Sequence, residues 1–192
     1  MISGLLQTPA YARALFSAFD PSRTSDLVDE LVAIRLARQE RFLLDTVAPL
    51  LIVVLDEAVI REVVGSFQVM HEQLAHLLRV GNLANVVVQV TPFSSVEPTQ
   101  HKGDMTLLTL PGGSEHLCSE SLSRGHFNND PEGLAKRTQS YERLRAHALS
   151  APESRRLIRG AMEELINVGP EALDPSGRPW SKSAYDTGLS KI

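Results

Sequence analysis

The sequence predicts an α/β fold: a small mixed sheet of about four strands packed by four to five helices. Two short apolar runs, Leu50–Leu55 and Asn85–Val90, are rich in β-branched residues, which is typical of strands buried on both faces. Between them, Phe67–Leu78 carries apolar residues at intervals of three and four, the pattern of a helix with one face toward the core. Strand, helix and strand in this order predict a parallel βαβ unit.

The remaining elements are predicted from turn and capping signals. Met105–Leu110 and Glu115–Ser121 flank a glycine-containing turn and indicate a C-terminal hairpin. Gly81-Asn82, after the central helix, predict that this helix ends at a residue with a left-handed backbone conformation. Four further helices are predicted, at Thr8–Ala18, Ser25–Asp45, Asp130–Ala148 and Ser150–Ile166. On the second of these we expect Leu27, Leu31, Ile34 and Phe42 to lie on or near one face.

Composition limits the class of protein. The 192 residues suffice for one domain, predicted at residues 1–167, with a flexible Gly-, Pro- and Ser-containing tail at 168–192. The net charge of −4 argues against direct nucleic-acid binding by this chain alone. A single cysteine, no signal-peptide pattern and no apolar run of about 20 residues predict a cytoplasmic chain that does not enter a membrane.

Conventional catalytic motifs do not fit the sequence. His71 and His76 are five residues apart, about 140° around a helix, so they do not form a zinc-protease pair. The turn at 111–114 lacks the lysine and the strand-to-helix setting of a phosphate-binding loop. The sequence therefore predicts no metal and no cofactor.

A few polar residues are candidates for a site. Glu57 follows Asp56 at the end of the first strand, and ligands tend to bind at the carboxyl ends of parallel strands. Helix capping by either carboxylate, or pairing with an arginine, is the competing interpretation. Arg35 and Arg38, at i,i+3, form either a solvated helix face or a pair with these carboxylates. Glu120, near the end of the fourth strand, is a candidate for the same reason as Glu57, with the same competing interpretations.

Several blocks of the chain resemble, in order and at natural spacing, the C-terminal domain of antitoxin-like helix-turn-helix transcriptional regulators of actinomycetes. The resemblance spans about Gly4 to Ile166. The blocks are Gly4–Ala12, Arg35–Glu40, Leu55–Ala58, Gly65, Met70–Leu74, Val88–Phe93, Leu144–Ser150 and Glu153–Ser154. The resemblance implies a sensor domain, here without its DNA-reading helices, that binds a small-molecule effector or a small partner protein. It implies no catalytic residues, and the sequence leaves a homodimer open.

Some positions depart from the family pattern. Ser3 replaces a proline, Met105 replaces a phenylalanine, and Leu117–Glu120 replaces an aromatic-containing strand. The loss of aromatic residues from these adjacent strands would enlarge a cavity between the sheet and the helices. An alternative hypothesis is therefore a cofactor-independent enzyme of small-molecule biosynthesis that catalyses a cyclisation or rearrangement. A third is that the sequence is a fragment of a longer regulator. Under these hypotheses the candidate ligand-binding residues are Tyr11, Arg35, Arg38, Glu57, Met105, His116, Cys118 and Glu120.

Overall fold

The structure is a computed structural model that describes residues 1–43, 49–95, 105–109, 112–113, 115–121, 124–125 and 131–167. The predicted tail, residues 168–192, lies outside the described residues. In chain order the elements are a 3₁₀ turn (Gly4–Leu6), α1 (Pro9–Phe19), α2 (Ser25–Leu43), β1 (Leu50–Asp56), α3 (Glu57–Arg61), α4 (Phe67–Val80), β2 (Val86–Thr91), β3 (Met105–Thr109), β4 (Glu115–Ser121), β5 (Arg124–Gly125), α5 (Pro131–His147) and α6 (Ala151–Asn167).

The strands form one mixed sheet in the order β2-β1-β3-β4-β5. β1 and β2 are parallel, with a register that runs from Leu51 opposite Val86 to Asp56 opposite Thr91, and the other pairs are antiparallel. The α/β class is thus confirmed, whereas the expected four strands are not, because the two-residue β5 extends the sheet. The described residues contain six helices instead of four to five, since two helices, α3 and α4, make the crossover.

β1 is buried on both faces, which explains its continuous apolar sequence. Leu51, Val53 and Leu55 are fully buried in the main core, which includes residues of α4 and α6. The alternate residues, Ile52 and Val54, belong to a second cluster with two residues of α5. The sheet is therefore covered by helices on both sides, as a parallel pair of strands requires.

Capping residues start the helices where the sequence predicts. The Thr8 hydroxyl accepts a hydrogen bond from the Tyr11 N–H at 3.3 Å, and the Asp56 carboxylate accepts one from the Ala58 N–H at 2.8 Å. Before α6, the Ser150 N–H donates to Glu153 at 3.0 Å in a capping box. Hydrogen bonds from Ser150 lower the pKa of Glu153 below its ordinary value.

The predicted left-handed stop at Gly81 is wrong. Its φ is −67° and ψ is −2°, which is right-handed helical geometry. The helix ends instead by backbone hydrogen bonds that continue this geometry, from the Gly81 N–H to the Leu77 carbonyl at 3.0 Å and from the Asn82 N–H to the Arg79 carbonyl at 3.2 Å. No left-handed residue is needed for such an ending.

The buried face of α2 is not the one expected to carry Leu27, Leu31, Ile34 and Phe42, and the Phe42 side chain lies outside what the structure describes. Val28 and Val32 are buried with Ala12 of α1, while Leu27 and Ile34 are 42% and 57% exposed. The physical reason is that α2 packs on α1 and the 3₁₀ turn, where Phe16 and Leu36 also pack against the two valines. The apolar residues on the neighbouring face of α2 are therefore left at the surface.

The free edge of β2 is protected by the α5–α6 junction. The Val90 N–H donates to the Ser154 hydroxyl at 2.9 Å, and the Val90 carbonyl accepts from the Leu149 N–H at 2.9 Å. Edge strands with unpaired backbone groups can pair with strands of other chains, and the α5–α6 junction prevents such pairing at Val90.

Within the described residues, no helix is long and apolar enough to span a bilayer.

Candidate functional site

An open groove of about 200 Å³ lies where α1, α2 and the 3₁₀ turn meet; we call it the α1–α2 groove. Its lining combines apolar and cationic side chains with a backbone wall. The lining residues are Gly4, Phe16, Leu31, Ile34, Arg35 and Arg38. Two of the sequence-predicted candidates, Arg35 and Arg38, are thus brought together at a surface opening.

Arg35 is held in position from two sides. Its guanidinium donates a hydrogen bond to the Gln7 side-chain oxygen and stacks over the Phe16 ring, 4.5 Å from the ring centroid. A second arginine, Arg23, lies near the Phe16 ring and also near Phe19. Its guanidinium is 6.0 Å from the Phe16 centroid and 5.5 Å from the Phe19 centroid. Cation–π contacts of this kind fix the guanidinium plane without neutralising its charge.

The wall of the groove is a buried N-terminal segment held by three glutamines, Gln7, Gln39 and Gln73. The Gln39 amide donates to the carbonyls of Gly4 and Gln7, both at 2.8 Å. The Gln73 amide donates to the Leu6 carbonyl at 2.7 Å, and its oxygen accepts from the Thr8 N–H at 2.7 Å. These amides satisfy backbone groups that have no place in a helix or sheet, so they position the wall.

Sequence reasoning missed these glutamines. An amide has no periodic pattern that marks it as buried, and isolated glutamines usually lie at the surface. The signal that was available is their place in the family-like blocks, since Gln7, Gln39 and Gln73 each fall in a different one.

Glu57 lies at a second location, the carboxyl end of β1. It is only 7% exposed, and its carboxylate accepts hydrogen bonds from the Phe93 N–H at 2.8 Å and from Arg61 Nε at 3.1 Å. Arg61 also pairs with Glu164 of α6. The alternative in which Arg35 or Arg38 pairs with Asp56 or Glu57 is not supported for Arg35 and Glu57, because Arg35 donates to Gln7 and Glu57 accepts from Phe93 and from Arg61. Glu57 thus joins the ends of both parallel strands to α6.

The other candidates are dispersed over the molecule. Tyr11 is fully buried in the core, where its hydroxyl accepts from the Ile2 N–H at 3.4 Å. Met105 pairs in register with Val54, which puts its position on the α5 side of the sheet. His116 and Cys118 pair with Leu108 and Thr106, positions on the opposite side.

The register separates Met105 from the other hairpin candidates, because His116, Cys118 and Glu120 are alternate positions on one side of β4 and Met105 pairs with Ser119 on the other. His116 is exposed, and Glu120 pairs with Gly125 at the far edge of the sheet. The side chains of Met105, Cys118 and Glu120 lie outside what the structure describes. The cavity expected from lost aromatic residues at these positions stays a prediction.

The two histidines of α4 have different surroundings. His76 is half-buried, its Nδ1 is 2.7 Å from the Arg79 guanidinium, and burial followed by the Arg79 charge lowers its pKa. Its Nε2 is buried and has no hydrogen-bond partner among the described residues. In the described part of the chain, no group of three or more His, Cys, Asp or Glu side chains is arranged to hold a metal ion.

The fold and the groove define a small α/β domain with an N-terminal segment tied into its core and a cationic, apolar opening beside it. A family model described as "Domain of unknown function (DUF5753)" matches residues 1–160, so the chain belongs to this family. No curated protein and no solved structure matches the chain.

Proposed function

We propose that this chain is a binding domain and that the α1–α2 groove receives an anionic group of its ligand. The observation that carries the proposal is the juxtaposition of Arg35 and Arg38 with exposed apolar surface. A guanidinium offers N–H donors in a planar fork that matches carboxylate and phosphate oxygens. Phe16, Leu31 and Ile34 beside it add apolar contact, so the preferred group combines negative charge with an apolar stem.

The size of the groove limits what it can enclose. Pockets that bury drug-sized molecules measure roughly 300–1,000 Å³, whereas this groove measures about 200 Å³. It therefore grips an end group rather than a whole large molecule. Such a group belongs either to a small-molecule effector or to an acidic side chain of a partner protein, the two ligand classes that the regulator resemblance implies.

The resemblance also supports the wider role. In antitoxin-like regulators this domain is the sensor half, and three of the six lining residues of the groove, Gly4, Arg35 and Arg38, fall in two of the blocks that carry the resemblance. We therefore propose a regulatory rather than a catalytic function. Glu57 is the first acidic candidate from the sequence. Its carboxylate is paired with Arg61 within the fold, and Glu57 does not line the groove.

The proposal is tested with a defined probe, 4-phenylbutyrate, and its uncharged amide. We expect saturation-transfer NMR to detect the carboxylate but not the amide, and Arg35→Gln to weaken its binding by about tenfold, since a charge-assisted pair contributes about 1.5–3 kcal/mol. The matched control is Arg155→Gln, because Arg155 lies on α6 and bonds to Asn82, away from the groove.

Three results would count against this assignment. They are equal binding of acid and amide, loss of binding in the Arg155 control, and unchanged binding in the Arg35 variant. Circular dichroism of each variant separates a change in binding from a change in folding.

A further inference from the structure

The N-terminal segment, residues 2–7, is buried along its whole length, although only three of its residues lie in a regular element. Ile2, Leu5 and Leu6 are part of the main core. Within the segment, the Leu6 N–H donates to the Ser3 carbonyl at 2.8 Å across the 3₁₀ turn. Buried backbone groups that such a short turn leaves unpaired need partners from side chains. The packing of the segment therefore depends on the few side chains that bond to it.

Gln7, the last residue of this segment, is fully buried and forms hydrogen bonds on two sides. Its Oε1 accepts a hydrogen bond from the Arg35 guanidinium, and its Nε2 donates to the Ile2 carbonyl at 2.6 Å. The two bonds fix which way the amide points, because a guanidinium only donates and a carbonyl only accepts. Glutamate would lack the donor, and methionine would offer only a weak acceptor. One amide therefore connects an arginine of the groove to the start of the segment.

Arg35 is able to bond to an anion and to Gln7 at the same time. It lines the α1–α2 groove, and its guanidinium lies over the Phe16 ring, 4.5 Å from the ring centroid. A guanidinium carries five N–H donors in a fixed fork, so the two bonds do not require the same hydrogen. The partner that binds first also restricts the rotation of the side chain, so the second partner pays less in conformational freedom. The two contacts of Arg35 therefore favour each other.

We propose that Gln7 is a positioning residue that couples the α1–α2 groove to the N-terminal segment, so that an anion bound at Arg35 and a closely packed segment stabilise each other. The anion in this inference rests on the proposed function, whereas the link rests on the hydrogen bonds that join Arg35, Gln7 and Ile2. Coupling between two sites is reciprocal, so a change that loosens the segment weakens anion binding by the same factor. Binding at the groove is thereby regulated through a residue that lies behind the arginine.

Amide hydrogen exchange with and without 4-phenylbutyrate tests the coupling in the wild-type chain. The readout is the Leu6 N–H, because its bond to Ser3 lies within the segment. We expect saturating probe to slow its exchange by about fivefold, at the lower end of typical coupling between sites. The Leu149 N–H, which donates to the Val90 carbonyl at 2.9 Å, reports general stabilisation of the fold and should slow less. Bound probe that leaves the Leu6 rate unchanged, or that slows both amides equally, would overturn the proposal.

Two buried glutamines that both bond to the segment separate coupling from simple support. Gln7→Met removes the link to Arg35, so bound probe should no longer slow the exchange of Leu6, and probe affinity should fall by about fivefold. Gln39→Met is the matched control, because Gln39 lies on α2, as Arg35 does, and donates to the carbonyls of Gly4 and Gln7. The segment should loosen in this variant as well, but the probe should still slow the exchange of Leu6. The same response to the probe in both variants would contradict a specific role of Gln7.

A double-variant cycle without any ligand tests the link by itself. Arg35→Gln and Gln7→Met should each speed the exchange of the Leu6 amide, and the double variant should speed it by less than the product of the two effects, because both changes break one bond. A wild-type rate in Arg35→Gln, or effects that multiply fully in the double variant, would overturn the inference. Failure of the wild-type chain to bind 4-phenylbutyrate would instead contradict the proposed function, and the cycle would still decide whether the link exists.

Discussion

Two regions of the molecule use charged side chains in opposite ways. At the carboxyl end of β1, the Glu57 carboxylate is buried and both of its oxygens accept hydrogen bonds, from Phe93 and Arg61. In the α1–α2 groove, Arg35 and Arg38 line an opening to solvent. A charge enclosed by partners holds elements together, whereas a charge at the rim of an apolar opening is accessible to a ligand.

The three glutamines resemble Glu57 in that they are buried and their side chains form hydrogen bonds within the fold. Gln73 is fully buried and joins α4 to the N-terminal segment through two backbone groups. Both regions therefore contain residues whose hydrogen bonds serve the fold. The groove adds Arg35 and Arg38. Since Arg35 also bonds to Gln7 and stacks on Phe16, we expect it to contribute to stability as well as to binding.

The largest effect is expected for Gln73→Leu. Replacement by an apolar side chain removes the partner of the buried Leu6 carbonyl and of the part-buried Thr8 N–H, and an unsatisfied buried group costs about 1–3 kcal/mol. We expect the free energy of unfolding, measured by urea titration, to fall by about 3 kcal/mol. Gln68→Leu on the same helix is the control, because Gln68 is exposed and should change stability by less than about 0.5 kcal/mol. Equal effects of the two variants would show that the buried amide does not hold the segment.

Glu57→Ala is expected to be the next most destabilising change. It removes the acceptor for the Phe93 N–H and leaves Arg61 with Glu164 alone. Loss of one charge-assisted hydrogen bond and a part-exposed ion pair predicts a decrease of about 2 kcal/mol in the free energy of unfolding. Glu62→Ala, an exposed neighbour, is the control. A stable Glu57 variant that no longer binds 4-phenylbutyrate would reverse the comparison, since Glu57 would then act at a ligand site.

The parts of the fold that follow from local sequence were predictable. The caps at Thr8, Asp56 and Ser150 depend on residues within three positions, and the strands β1 and β2 on their own apolar runs. The inward face of α2 was not predictable, because valines and leucines occur on both of its sides and only the contact with α1 decides between them.

The candidate site was predictable only in part. Arg35 and Arg38 are marked by their charge and spacing, but the contact of Arg35 with Gln7 joins residues 28 positions apart and depends on how α2 crosses the N-terminal segment. The family-like blocks converge in the folded chain: Gln7 with Arg35, Glu57 with Phe93, and Val90 with Ser154. These contacts join residues far apart in sequence, and no single block of sequence predicts them.

A smaller effect is expected from pH through His76. Burial and the Arg79 charge lower its pKa in the folded state, so the folded protein disfavours the protonated ring. The unfolded chain binds that proton below about pH 6.5, and stability should therefore be complete above this pH and decline below it. Because the ring is partly exposed, we expect His76→Gln to reduce the loss between about pH 8 and pH 5.5 by less than 1 kcal/mol. His71→Gln is the control on the same helix, and an identical pH profile for wild type and His76→Gln would contradict the assignment.

The smallest effect on stability is expected for Arg38→Gln, and it is the sharpest test of the contrast between the two regions. Arg38 is exposed at the rim of the groove, so its replacement should change the free energy of unfolding by less than about 0.5 kcal/mol. Binding of 4-phenylbutyrate should nevertheless weaken, because one of the two groove cations is lost. The two quantities should therefore separate for Arg38, whereas for Glu57 stability alone should change. A loss of more than about 1 kcal/mol in Arg38→Gln, with probe binding intact, would make this arginine a structural residue and leave Arg35 as the remaining groove cation.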